Sequence, residues 1–255
     1  MLKIKTIILA LASAFVLLFS SCQNKEQYEV KSVECEQIKI DGELDSKVEP
    51  ELKAMVDFYK LQIDSVMNRQ IGYAAQTLDK GKPQSLLSNL TADVLRLAGA
   101  EYVDGTVSLA VMNNGGLRAP INEGPVTVGD IFKVFPFENE MVLLKISGIQ
   151  VNELFKRMAA IGGEGLSGCT LVIRDNKVQS LLVNGKPVDE NASYWVSTID
   201  YLADGNSGMS VFTEAEKRIN TGIRLRDVML NYVEGVTAQG KELTSKIDDR
   251  VKVLP

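Results

Sequence analysis

The chain has 255 residues, 45% hydrophobic and 24% charged, with a formal net charge of −5 and no block of Lys and Arg. That is globular composition with material for one large domain or two small ones, and it argues against a nucleic-acid polymer as partner. The chain has no histidine, which excludes Ser-His-Asp and Cys-His catalysis and any zinc site that needs imidazole, while a carboxylate-only Mg²⁺ or Ca²⁺ site stays open.

Residues 1–21 read as a signal segment. Lys3 and Lys5 supply a positive start, residues 6–19 are apolar but short for a span with those flanks, and small residues lead directly to Cys22. The FSSC ending resembles a bacterial lipoprotein signal, in which the cysteine becomes the lipidated N-terminus. A plain secretory signal with an incidental cysteine is the alternative. Gln23 is not the aspartate that resembles an inner-membrane retention signal. The expected address is therefore the bacterial envelope, lipid-anchored at the outer membrane, on its periplasmic or surface face. Residues 22–47 are polar with little periodicity and read as a flexible tether. Residues 48–255 then form one domain. Cys35 and Cys169 are free to pair in an oxidising compartment or to remain as two buried thiols.

Within the domain, Leu52, Met55, Val56, Tyr59, Ile63, Val66 and Met67 mark one face of a helix of about five turns. Residues 71–78 are strand-like. Helical spacing returns at residues 85–100, with Leu87, Leu90, Val94 and Leu97 on one side and Asn89 and Asp93 on another. A continuous apolar strand at residues 105–112 runs into NNGGLR. A short helical turn follows and stops at Pro136. Residues 139–147 alternate as a strand, and Val151, Leu154, Phe155 and Met158 line an amphipathic helix. Two strands with turns at Asp175-Asn176 and Asn184-Gly185 come next. The strand SYWVSTI ends at Asp200 and Tyr201, and a last helix turns Leu225, Val228, Met229 and Tyr232 inward. Helices and strands interleave without a Gly/Ser/Pro linker, which predicts a single α/β domain with mixed sheets.

Four stretches at the ends of these elements carry groups suited to a ligand. In NNGGLR, Gly115 and Gly116 permit positive φ and close backbone approach, and Arg118 offers a planar charged fork for phosphate or carboxylate. Taken alone, this is equally a Gly-Gly turn bearing a solvent arginine. In FPFENE, Phe137 beside Asn139 suits a flat heterocycle, as it also suits core packing. LSGC is a small-residue turn containing Gly168. IDYLADGNSG sets Tyr201 before a loop holding Gly205, Asn206, Ser207 and Gly208.

In this order, SNLTADV, NNGGLR, FPFEN, LSG, NGKPV and IDYLADGNSG resemble the C-terminal, substrate-binding domain of the 5'-nucleotidase and UDP-sugar hydrolase family. The resemblance covers roughly residues 52–253. It implies a four-layer α/β/β/α fold and a nucleotide or nucleoside ligand. The base would be sandwiched by the rings at Phe137 and Tyr201, with amides at Asn113 and Asn139 and a phosphate-directed arginine at Arg118. The same resemblance sets Gly115, Gly116 and Gly168 against the substrate.

Two positions depart from the family pattern. Ser207 stands where the family usually has a ribose-binding aspartate, and a hydroxyl cannot make the aspartate's bidentate, charge-assisted contact. A second phosphate arginine is replaced by a stretch holding Lys80 and Lys82, which offer point charges instead. Enzymes of the family also carry a metallophosphatase domain whose two metals are held by His, Asp and Asn. No histidine exists here to build one. The expectation is a chain without cofactor and inactive alone, the recognition half of a split 5'-nucleotidase. A separate metallophosphatase chain would supply the divalent metals. A lipid-anchored nucleotide or nucleoside receptor without catalysis is the alternative.

Overall fold

The computed structural model describes residues 29–255, so the signal segment, Cys22 and the start of the tether lie outside the described residues. Residues 29–40 are exposed and carry no regular secondary structure. The chain divides into two units between Lys53 and Ala54, and the second holds all the elements described below that surround the site.

The expected first helix is present as α1 (Pro50–Met67), but none of its residues is buried. Its apolar positions from Leu52 to Val66, among them Met55, Tyr59 and Ile63, are more than half exposed, and Met67 at its end is partly buried against the core. Periodicity specifies a helix with one apolar face; it does not specify that a sheet is waiting for that face.

The core is built on a five-stranded sheet in the order β10-β4-β9-β2-β5. Its strands are β2 (Leu109–Met112), β4 (Glu140–Ser147), β5 (Gly165–Ser167), β9 (Ser193–Ile199) and β10 (Lys217–Arg224). β2 and β9 are parallel and the other pairings are antiparallel. All four residues of β2 are buried, as a continuous apolar run in an inner strand of a covered sheet requires. Helix α2 (Leu86–Gly99) packs on β2, β5 and β9. Ser85 and Ser88 start it with a reciprocal capping box. Leu87, Leu90 and Val94 are buried as expected, but Leu97 is exposed and Leu95 faces inward in the last turn.

A four-stranded sheet, β11-β6-β7-β8, lies beyond. It comprises β6 (Cys169–Arg174), β7 (Lys177–Val183), β8 (Lys186–Pro187) and β11 (Val251–Leu254). The two predicted turns join its antiparallel strands: Asp175 and Asn176 both adopt positive φ, as do Asn184 and Gly185. Helix α3 (Val128–Val134) begins with a second capping box, from Thr127 to Asp130, and follows β3 (Gly124–Thr127), which pairs with β1 (Gln70–Ala74). Helix α4 (Gly148–Ala160) buries Val151, Leu154, Phe155 and Met158 completely and contacts both large sheets. A four-residue helix, α5 (Asp200–Ala203), follows β9, so Asp200 and Tyr201 open a helix instead of closing a strand. Finally α6 (Leu225–Ala238) packs on α2 and β1. The class is α/β with helices layered on mixed sheets. Strand β10, unanticipated from the sequence, sits at the sheet edge, and its apolar side chains are only Ile219 and Ile223, half-buried among charged and polar residues, so it lacks the continuous apolar signal of an inner strand.

Cys169 is buried and Cys35 exposed, and both are free. Burial pushes the Cys169 thiol up to about 12, which makes it an unreactive core residue.

Candidate functional site: a cleft at the ends of three strands

Three neighbouring strands deliver the site. Because β2 and β9 are parallel, their C-terminal ends emerge on the same side. Because β4 is antiparallel to β9, its N-terminal end lies there too, with Met141 opposite Ile199. The loop after β2 carries NNGGLR, the loop before β4 carries FPFEN, and the turn after β9 carries Asp200 and Tyr201. Ligand sites in open α/β sheets gather outside the carboxyl ends of strands for this reason.

The result is a cleft of about 630 Å³ lined by Asn113, Gly115, Gly116, Arg118, Phe137, Glu138, Asn139, Ile199, Tyr201 and Ser207. Eight of the nine candidate binding residues from the sequence are in that lining. Gly168 is not: it lies in a separate polar depression with Arg96, Asn184 and Arg250, where its positive φ and its closeness to the Ser108 carbonyl and the Arg96 side chain explain the glycine. Lys80 and Lys82 are not in the cleft lining either. The Lys80 ammonium donates to the Leu117 carbonyl at 2.6 Å, bracing the loop after β2, and Lys82 donates to the Ile161 carbonyl.

The loop after β2 is a tight 3₁₀ turn, Asn114–Gly116. Neither glycine adopts positive φ. Their value is spatial: a Cβ on Gly116 would fall 2.4 Å from Met112 Cε and 3.2 Å from Asn113 Oδ1, and one on Gly115 would fall 3.2 Å from Asn113 Nδ2. The two glycines therefore leave room for the Asn113 amide. Asn113 is 7% exposed and its Oδ1 has no hydrogen-bond partner, a costly state that a ligand donor would relieve. The buried Glu164 carboxylate holds the loop from behind, accepting from the Asn114 N–H at 2.6 Å.

Arg118 is anchored through its backbone, its N–H donating to the Val134 carbonyl at 2.9 Å. Its Nη1 donates to the Gly115 carbonyl at 3.2 Å and its guanidinium lies 5.9 Å from the Phe137 ring centroid. The rest of its donor fork is available at the cleft mouth. Phe137 is 49% and Tyr201 42% exposed, an unfavourable exposure for large rings unless something flat covers them. Ser207 sits in the left-handed region at φ 55° between Gly205 and Gly208, both also at positive φ, so the backbone after α5 is shaped tightly around the cleft floor.

The sequence did not single out Glu138 or Ile199 as lining, nor the support behind the FPFEN loop. Arg226, 5% exposed, donates to the Phe135 carbonyl at 3.3 Å and to Glu138 Oε1 at 2.6 Å, and stacks 4.1 Å above the Phe132 ring. Glu138 also pairs with Arg224. The Arg226 hydrogen bond, against a smaller burial effect, holds the Glu138 carboxyl below its usual value. The sequence showed only an arginine next to Leu225 at the start of an apolar helix face; its burial, rare for arginine without a partner, is seen in the structure alone.

Among the described residues, no group of three or more Cys, Asp or Glu is placed to hold a metal ion. The cleft has aromatic faces, amides and the remaining donors of the Arg118 guanidinium, so it can bind and orient a flat, anionic molecule; its residues do not fit a two-metal hydrolytic centre. No helix among the described residues is long and apolar enough to cross a membrane.

Comparison with known proteins gives the same outline. YfkN, the trifunctional nucleotide phosphoesterase protein of Bacillus subtilis, is 26% identical over 224 residues, covering 80% of this chain and 15% of that protein. Protein UshA of Yersinia enterocolitica is 29% identical over 150 residues, 57% of this chain and 26% of that one. The apyrase of Aedes aegypti is 27% identical over 218 residues, 76% of this chain and 38% of that one. The chain thus spans well under half the length of each. Among solved structures, the 5'-nucleotidase precursor of Thermus thermophilus superposes with a TM-score of 0.69 at 24% identity, over 79% of this chain and 43% of that one, a likeness of fold. The family described as 5'-nucleotidase, C-terminal domain, matches residues 68–214. The chain belongs to the 5'-nucleotidase C-terminal domain family.

Proposed function

We infer that this protein is the nucleotide-recognition part of a 5'-nucleotidase-type hydrolase, with the base stacked between Phe137 and Tyr201 and the phosphate directed by Arg118. The observation that carries the reading is the cleft itself. Two half-exposed rings, the unpartnered buried oxygen of Asn113 and a guanidinium fork come together from three separate loops. Aromatic faces accept any base, at about 1–3 kcal/mol each. Gly115 and Gly116 clear the space in which the Asn113 amide meets the ligand.

Hydrolysis needs metals that the cleft residues do not fit. A separate metallophosphatase chain supplies them in this reading, and the cleft presents the phosphate to it; positioning of this kind accounts for a large part of a hydrolytic rate. The resemblance of residues 1–22 to a lipoprotein signal supports an anchor at Cys22, which in this reading holds the protein at the envelope where such a partner would meet it.

Two measurements test this. Calorimetry with adenosine and AMP is expected to show binding that Phe137→Ala and Tyr201→Ala each weaken by about 1–3 kcal/mol; unchanged affinity in both variants rules out stacking. Phosphate release from AMP and UDP-glucose with Mn²⁺ or Co²⁺ is then followed for this chain, for a candidate metallophosphatase chain, and for the mixture. Release by this chain alone refutes the division of labour. Binding without any gain on mixing leaves a non-catalytic, lipid-anchored nucleotide-binding protein.

A further inference from the structure

Asp200 is the first residue of α5 and one of its carboxylate oxygens serves two loops at once. Asp200 Oδ1 accepts from the Asn139 side-chain Nδ2 at 2.8 Å and from the Tyr201 backbone N–H at 2.7 Å. The contact follows from the sheet: with Met141 opposite Ile199, the residues just before β4 and just after β9 must lie side by side. On its other side the Asn139 carbonyl accepts from the Leu225 N–H at 2.8 Å, so the Asn139 backbone is held as well.

The chemistry of this contact decides which way an amide points. An ionised carboxylate can only accept. Asn139 must therefore turn its NH₂ toward Asp200, and its Oδ1 is left with no donor from the protein. A free asparagine in a binding cleft offers either end to a ligand; this one does not. We propose that Asp200 is a positioning residue that locks Asn139 with its amide oxygen available to the cleft, so that the site favours a base bearing an exocyclic amino group over one bearing a carbonyl at the same place.

The inference rests on the nucleotide reading above and deepens it. It also joins base choice to stacking. The oxygen that orients the Asn139 amide also caps the N–H of Tyr201, so the edge contact and one aromatic wall are set by a single group. A carbonyl facing the Asn139 oxygen would put two acceptors together, and leaving a polar group unpaired costs more than one hydrogen bond contributes.

Adenosine and inosine differ at C6, amino in one and carbonyl in the other, and with it at N1, an acceptor in one and an N–H donor in the other; they serve as the probes, with 1-methylinosine, which lacks the N1 donor, run beside inosine. Calorimetry with the whole mature chain is expected to show adenosine bound at least about tenfold more tightly, the scale of one hydrogen bond with its mismatch penalty. In Asp200→Ala the Asn139 amide is free to turn, and the ratio is expected to fall toward one, chiefly through better inosine binding. In Asn139→Ala the ratio should fall through weaker adenosine binding. A merely structural role for Asp200 would weaken both nucleosides equally and leave the ratio unchanged, which overturns the proposal, as do equal affinities in the wild type. Binding of neither nucleoside overturns the nucleotide reading itself. Circular dichroism checks that each variant folds, and Asn139→Ala carries the test if Asp200→Ala does not.

Discussion

Arg226 lies with its guanidinium 4.1 Å above the Phe132 ring while its Nη2 reaches Glu138 at 2.6 Å. One buried side chain thus ties the start of α6 to the last turn of α3 and to the loop that presents Phe137 and Asn139. Its role is to hold the rim of the cleft in place.

Replacing it with methionine keeps the apolar stem and removes the charge. Arg226→Met is expected to lower unfolding free energy by about 2 kcal/mol, from the lost cation–π contact and hydrogen bonds. Nucleoside affinity should fall as well, although Arg226 is absent from the cleft lining. Urea denaturation measures the first effect and calorimetry the second; a loss of stability with full affinity would show that the loop keeps its shape unaided.

Arg118 should discriminate phosphate and leave the base alone. In Arg118→Ala, AMP affinity is expected to drop about ten- to a hundredfold, the scale of a charged hydrogen bond, with adenosine affinity little changed. Arg118→Lys should restore only part of the loss, because an ammonium cannot make the bidentate contact. Equal losses for AMP and adenosine would mean that Arg118 acts through its contact with Phe137.

The C-terminal segment supplies a pH dependence. Arg250 donates to both oxygens of Asp248 at 2.8 Å and to both oxygens of Asp93 at 2.7 and 3.0 Å. The Arg250 hydrogen bond lowers the Asp248 carboxyl below its model-compound value of 3.8, outweighing the opposing effect of burial. A carboxyl lowered in the folded state contributes stability that is present above its unfolded value and lost as pH falls through its folded value. Stability should therefore decline below pH about 4, and Asp248→Asn should make that acid limb shallower. Thermal unfolding from pH 7 to pH 2.5 checks it.

Two glycines make a matched pair. A Cβ at Gly148 would lie 2.0 Å from the Asp189 carbonyl oxygen, and backbone cannot yield as a flexible side-chain end can. Gly148→Ala is expected to cost about 3 kcal/mol. Gly235, inside α6, has nothing within 4 Å of its absent Cβ, so Gly235→Ala should stabilise by about 1 kcal/mol through helix propensity. Urea midpoints moving in the same direction for both variants would contradict this.

The sequence by itself determined the elements whose residues repeat with the right period, and the loops whose chemistry stands apart. Helix α4 is an example: Val151, Leu154, Phe155 and Met158 are spaced for one face and all four are buried. The hairpin turns at Asp175-Asn176 and Asn184-Gly185 are another, because few residues tolerate the positive φ found there. Six short motifs in a fixed order were enough to name the family. What no local pattern contains is the partner of a face or of a side chain. The stripe on α1 predicted a helix with one apolar face, and that face is exposed from Leu52 to Val66. Gly168 read as binding site and is packed against Ser108 and Arg96. Edge strand β10 had only Ile219 and Ile223 to betray it. Arg226 and Asp200 stood in plain view, but their roles depend on contacts with residues 91 and 61 positions away in the chain. Strand register alone brings Asn139 beside Asp200, and register is a property of the assembled sheet: a one-residue slip would turn each of these side chains to the opposite face.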